Sequence, residues 1–179
     1  AALLLLLGSA PAEAPKRGLP AEQPPREPSG LAASLARERP NQVRRFAGGV
    51  KVRASSSYSG WPATRAVDGD PATSWFSATG ESAARGKRPW VELSFPEAIE
   101  VARVRLVGNR EAPWQQGYSI QVVELALHDA EGRLLAKLTN ESQAATNDIE
   151  LAPAVPVKGV RRVRLTSLAD QGDVNPYGD

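Results

Sequence analysis

Three observations predict an all-β domain of sandwich or barrel type. Apolar residues alternate with polar ones over several short runs, and no segment carries a convincing 3.6-residue apolar stripe. All the aromatics (four Trp, three Tyr, three Phe) lie at or beyond Phe46, so the core-forming material is confined to the later part of the 179 residues. A buried Trp removes roughly 150–250 Å² from water, which is ample for a body of this size.

The elements follow in chain order. Leu3–Leu7 precedes Gly8-Ser9-Ala10 and Ala12-Glu13-Ala14, a leucine run followed by small residues in A-x-A spacing. Residues 1–14 are therefore expected to be the C-terminal part of a signal peptide. The run is far short of the roughly 20 apolar residues that cross a bilayer. Seven of the fifteen prolines fall before residue 41 and no aromatic does. Residues 15–45 accordingly read as a Pro-rich disordered linker that cannot bury enough apolar area to offset chain entropy, with a weak helix around Leu31–Arg39.

From Phe46 the period becomes two. Val91, Leu93 and Phe95 alternate with Trp90, Glu92 and Ser94, and Ala102, Val104 and Leu106 alternate with Arg103 and Arg105. The run from Ile120 and Val122 to Val123, Leu125 and Leu127 slips by one residue, which predicts a bulge or a strand buried on both faces. Asp129–Gly132 is a turn, and Leu134–Leu138 is its returning hairpin strand. Val163 and Leu165 alternate with Arg162, Arg164 and Thr166 in a last strand.

Charge and composition exclude several chemistries. The chain has 22 Lys+Arg and 20 Asp+Glu, a net of +2. Residues 1–45 hold seven Lys/Arg against four Glu, and residues 46–179 hold fifteen against sixteen acids, so the excess sits in the front segment. Arg103, Arg105, Arg161, Arg162 and Arg164 read as solvated sheet faces, and no nucleic-acid partner is expected. With no Cys there is no thiol nucleophile or disulfide framework. The single His, His128, occupies the outward phase of a strand, so no Ser–His–acid triad or zinc cluster is available. Glu92, Glu97, Glu100 and Glu111 offer no reason to choose a carboxylate pair. No enzyme is expected.

The segment Arg65–Trp75 is more specific. Asp68 and Asp70 flank Gly69, with the Thr73 hydroxyl three residues on. Oxygen donors so spaced on a tight turn suit either one hard cation or a plain Asp-Gly turn without an ion. Ala66, Asp68, Gly69, Thr73 and Trp75, followed by Trp90-Val91-Glu92-Leu93-Ser94-Phe95, resemble the discoidin family (coagulation factor five/eight type C domain) in its A-x-D-G-x-x-x-T-x-W and W-V-x-L-x-F patterns. Val104–Asn109 with Arg110, and Arg162–Leu165, are similar to its later strands.

The resemblance implies a jelly-roll β-sandwich of the galactose-binding-like type over 46–179, acting as a binding module. It also implies a structural calcium held by the Arg65 carbonyl, Asp68, Asp70 and Thr73. The family's closing strand, with its A-x-x-E segment, would follow Asp179, so the resemblance implies a domain short of that strand. Ligand candidates are the loop residues Tyr58, Trp61, Asn109, Arg110 and Trp114, with Tyr177 a further possibility, because loops carry recognition and sugars need an aromatic platform with planar polar groups. Trp75 and Trp90 are assigned to the core, and Arg110 has a surface ion pair with Glu111 as its plainer role. The expected function is an exported, non-catalytic carbohydrate-binding module, secreted or held at the cell envelope. The alternatives are a cell-surface module for protein or lipid, and a targeting module of a larger enzyme.

Overall fold

The computed structural model describes residues 4–8, 42–46, 49–83, 85–112, 119–140 and 148–170. The described residues form two antiparallel sheets. One has five strands in the order β2 (Lys51–Ala54), β3 (Trp90–Val101), β8 (Val157–Asp170), β5 (Ile120–His128) and β6 (Leu134–Thr139). The other has the order β1 (Leu4–Gly8), β4 (Arg103–Val107) and β7 (Ile149–Leu151). The all-β expectation holds, and the linker positions 15–41, with their expected helix around Leu31–Arg39, lie outside the described residues.

The alternation sorts the inner faces as period two requires. Val91, Leu93 and Phe95 of β3, Val163 and Leu165 of β8, and Val123, Leu125 and Leu127 of β5 are all buried. Val104 and Leu106 of β4 and Ile149 and Leu151 of β7 join them in one core with Trp75. Each such Val, Leu or Ile contributes about 1.5–3 kcal/mol by leaving water.

Two irregularities have local causes. The slip after Ile120 is a register shift on both sides of Val122 in the pairing of β5 with β8. In β3 the ladder with β8 breaks between Ser94 and Ile99, where Pro96 has no N–H to donate. The Phe95 carbonyl there accepts a hydrogen bond from Arg161 Nε at 3.0 Å. The hairpin from β5 to β6 turns at Gly132, whose φ of +88° only glycine adopts without strain. Asp129 closes that turn by accepting the Arg133 N–H at 2.8 Å.

The front of the chain contributes to the fold. Leu4–Gly8, within the expected signal segment, pairs along β4 from Leu4↔Val107 to Gly8↔Arg103. Gln42–Arg45, counted with the linker by sequence, form a short helix α1 whose Val43 is buried in the core. Phe46 then packs edge-on against Phe95, ring centroids 6.1 Å apart.

Trp90 corrects one expectation. It is not a core residue. It stands on the outward phase of β3, half-buried, with the Arg164 guanidinium 3.9 Å from its ring centroid. Its alternation with the buried Val91 fixes that placement, and a cation–π contact with a neighbouring strand replaces core packing.

Candidate functional site

The site is built where three loops meet at Glu111. Residues 55–62 lead from β2 into a 3-10 turn at Ala63–Ala66, the Asp68–Thr73 loop follows, and residues 108–112 leave β4. Trp75 anchors the first two loops from within the core. It is 1% exposed, and its indole N–H is donated to the Ser56 carbonyl at 3.0 Å and the Ser57 hydroxyl at 3.2 Å. One residue later the Phe76 carbonyl accepts the Tyr58 N–H at 2.8 Å.

On this anchor sits an aromatic cluster. Trp61 packs edge-on against Phe76 (5.8 Å) and tilted against Tyr58 (5.6 Å), and the Arg65 guanidinium lies 5.7 Å from the Trp61 centroid. Phe76 is buried, Trp61 is half-buried and Tyr58 is 47% exposed. The rings thus form a graded stack: Phe76 at the base, Trp61 as buttress, Tyr58 facing solvent.

Glu111 ties this stack to the third loop. Its Oε1 accepts the Trp61 indole N–H at 2.8 Å and lies 3.4 Å from Arg65, while its Oε2 accepts the Ser74 N–H at 2.9 Å. Asn109 braces the same junction from inside. At 2% exposure it presents no surface; its Oδ1 accepts the Ser74 hydroxyl and the Glu111 N–H. Arg110 points outward with a side chain 54% exposed, and its partner is Asp148 at 2.9 Å rather than Glu111. Trp114 and Tyr177 lie outside the described residues.

Asp148 gathers charge beside Arg110. Its carboxylate accepts from Arg105 at 2.8 Å, from Arg110, and from the Gly108 N–H at 3.2 Å. Partial burial works to raise its pKa, but the Arg105 hydrogen bond, the Gly108 N–H and the two guanidinium charges outweigh it and hold the carboxyl below its ordinary range. A carboxyl depressed on folding stabilises the fold above its unfolded pKa near 3.9, and that contribution disappears as pH falls through the lower folded value. Asp148→Asn should therefore destabilise the protein by about 1–3 kcal/mol at neutral pH. Its deficit relative to the parent should shrink steadily below about pH 4. Urea unfolding at pH 7 and pH 3 checks this, and an equal deficit at both would contradict it.

The Asp68–Thr73 loop is closed on itself. Asp68 accepts the Asp70 N–H at 2.9 Å and the Thr73 hydroxyl at 2.6 Å, and Asp70 accepts the Ala72 N–H at 2.8 Å. Gly69 at φ +82° makes the turn, and Arg44 from α1 reaches the Gly69 carbonyl at 3.4 Å. Among the described residues no three His, Cys, Asp or Glu side chains converge on one point. Each carboxylate oxygen keeps a further lone pair beyond these bonds, so the donor set is compatible with a hard cation.

Sequence reasoning placed Tyr58 and Trp61 at the loops but missed Glu111 and Arg65 as their organisers, and Asp148 as the partner of Arg110. Glu111 stands 50 residues from Trp61 and 37 from Ser74, and no local pattern marks such a bond.

Comparison with known proteins gives a consistent picture. A model of the F5/8 type C domain matches residues 51–177. A family 32 carbohydrate-binding module of C. perfringens NanJ, solved in complex with galactose, superposes with a TM-score of 0.55 at 16% identity, over 69% of this chain and 85% of that one. A second such module from Clostridium perfringens, in complex with GalNAc-beta-1,3-galactose, gives 0.54 at 18% identity, over 69% and 86%. An F5/8 type C domain from Bacteroides fragilis gives 0.54 at 17% identity, over 68% and 82%. No curated protein matches significantly. The shared fold is the galactose-binding-like sandwich, and with its model spanning well over half of the residues, the chain belongs to the F5/8 type C (discoidin) domain family.

Proposed function

We propose that this chain is a non-catalytic carbohydrate-binding module that takes a sugar at the loop end, with Tyr58 as the stacking surface. The observation that carries this is the graded stack: Tyr58 alone of the three rings is strongly exposed, and Trp61 and Phe76 hold it from behind. Solved relatives in complex with galactose and with a GalNAc-galactose disaccharide support the ligand class. Trp61 serves as a buttress, since its N–H is donated to Glu111 and Arg65 lies over its ring. Arg110 supplies planar donors at the rim; Trp114, from the same loop in sequence, is a second stacking candidate. Asn109 acts by positioning Glu111 and Ser74.

A module of this kind meets its ligand outside the cytoplasm, so an exported protein, secreted or at the envelope, is part of the reading. The leucine run with A-x-A spacing supports it. Calcium belongs to it too: the Arg65 carbonyl, Asp68, Asp70 and Thr73 would hold the ion and stiffen the Asp68–Thr73 loop. Titration calorimetry with galactose and GalNAc-galactose, in calcium and again in chelator, tests the set. Tyr58→Ala should weaken binding about tenfold, the loss of about 1.4 kcal/mol of ring stacking, without lowering the melting temperature. Chelator should lower the melting temperature of the parent but not of Asp68→Ala. Undiminished binding by Tyr58→Ala removes the stacking role, and a chelator-insensitive melt removes the ion. Capture of lipid vesicles in place of any glycan would favour the lipid-module alternative.

A further inference from the structure

The outward face of the five-stranded sheet carries a charge excess that the fold does not require. Residues paired across strands share a face, which sets three rows. Arg53, Glu92, Arg164, Ala126 and Lys137 form one row; Lys51, Ser94, Arg162 and His128 form the next; Trp90, Thr166, Glu124 and Thr139 form the third. The rows hold five Lys/Arg (Lys51, Arg53, Lys137, Arg162, Arg164) against two acids (Glu92, Glu124), a net of +3. The region 46–179 as a whole, with fifteen Lys/Arg and sixteen Asp/Glu, has a net of −1. The positive charge is therefore concentrated on this face against the trend of the domain.

Much of that charge is uncommitted. Lys137 pairs with Glu124 at 2.6 Å, and Arg164 lies 3.9 Å from Glu92. Lys51, Arg53 and Arg162 make no ion pair with the described residues. The spacing is regular as well. β2, β8 and β6 are alternate strands, so the backbone positions that carry these cations stand about 10 Å apart across the sheet, and residues two apart along a strand are about 7 Å apart. A repeating array of this kind suits a chain that bears anions at intervals better than a single small anion.

We propose that this face docks a uronate-bearing polysaccharide chain. Three of the five cations are Arg, whose planar guanidinium matches a carboxylate in bidentate fashion. Single-stranded nucleic acid fits less well, because base stacking needs open aromatic faces and the one aromatic in the rows, Trp90, lies beneath Arg164. None of the residues in the rows belongs to the Tyr58 stack, and the two sites are separable by mutation.

Affinity electrophoresis of the full chain through polygalacturonate, dextran and single-stranded DNA, at low and moderate salt, tests the proposal. Polygalacturonate should retard the parent in a salt-sensitive way, and dextran should not. Arg53→Glu with Arg162→Glu should weaken retardation at least tenfold. Arg45→Glu with Arg103→Glu, the same charge change on α1 and on the other sheet, should alter it less than twofold. If Arg53→Glu with Arg162→Glu fails to fold by circular dichroism, Arg53→Gln with Arg162→Gln should still lose most of the retardation. Equal losses in the two charge-reversed pairs, full retention by the Arg53/Arg162 variants, or DNA retarded as strongly as polygalacturonate would each overturn it.

Discussion

Replacing Trp75 with Ala should destabilise the protein by about 3–5 kcal/mol, the range for removing a large buried aromatic whose cavity cannot fully collapse. Trp75 is 1% exposed and in contact with the core shared by both sheets. Its loss also strands the Ser56 carbonyl that its N–H satisfies at 3.0 Å. Trp75→Phe separates the two contributions: it keeps most of the ring but not the donor, and should destabilise by about 1–3 kcal/mol. Both variants should weaken glycan binding beyond their effect on the folded fraction, because the Trp75 donor holds the stretch that leads into Tyr58. Chemical denaturation with calorimetry at full folding checks this. A Trp75→Phe variant of unchanged stability would show that the N–H bond to Ser56 is not worth making.

That Trp75 is buried and Trp90 is not shows what a period of two can and cannot deliver. Trp90 immediately precedes the buried Val91, so its phase alone places it outward. Assigning Trp90 to the core alongside Trp75 overrode that signal, and the Arg164 guanidinium over its ring is the contact that makes the outward position favourable. The same period made the bulge at Val122 legible, because a slip in alternation is a slip in register. The site was less legible for a physical reason. Its aromatics announce themselves by type, but the acid that binds them together is distant in sequence. Glu111 looked like one of several scattered carboxylates, and Arg110 beside it looked like its partner. In the structure, adjacent residues diverge: Arg110 reaches Asp148, and Glu111 turns the other way to Trp61, Arg65 and Ser74. The polar arithmetic of the sheet face was hidden likewise. Summing charge along the chain gives nearly zero, while summing it over cross-strand neighbours gives +3.

Glu111 is where the loop end should be most sensitive. Its side chain is only 18% exposed and its two oxygens serve donors on two different loops. Glu111→Ala leaves the Ser74 N–H and the Trp61 indole N–H without their acceptor and removes the counter-charge of Arg65. A destabilisation of about 2–4 kcal/mol is expected, since each partly buried donor left unmade costs about 1–3 kcal/mol. Glu111→Gln is the sharper variant. A neutral amide has one acceptor oxygen where the carboxylate has two, so whichever way it turns, its NH₂ faces a donor. It should therefore recover only part of the loss, about half, and should not restore the Trp61 environment. Intrinsic Trp fluorescence in Glu111→Gln should shift toward that of a more solvated indole, and glycan affinity should fall with it while Tyr58 itself is untouched. Were Glu111→Gln to keep both the parent's fluorescence and its stability, the acid would be a surface charge resting against the loops. A shift in both would establish that the stack under Tyr58 is held in place by a carboxylate from the opposite loop.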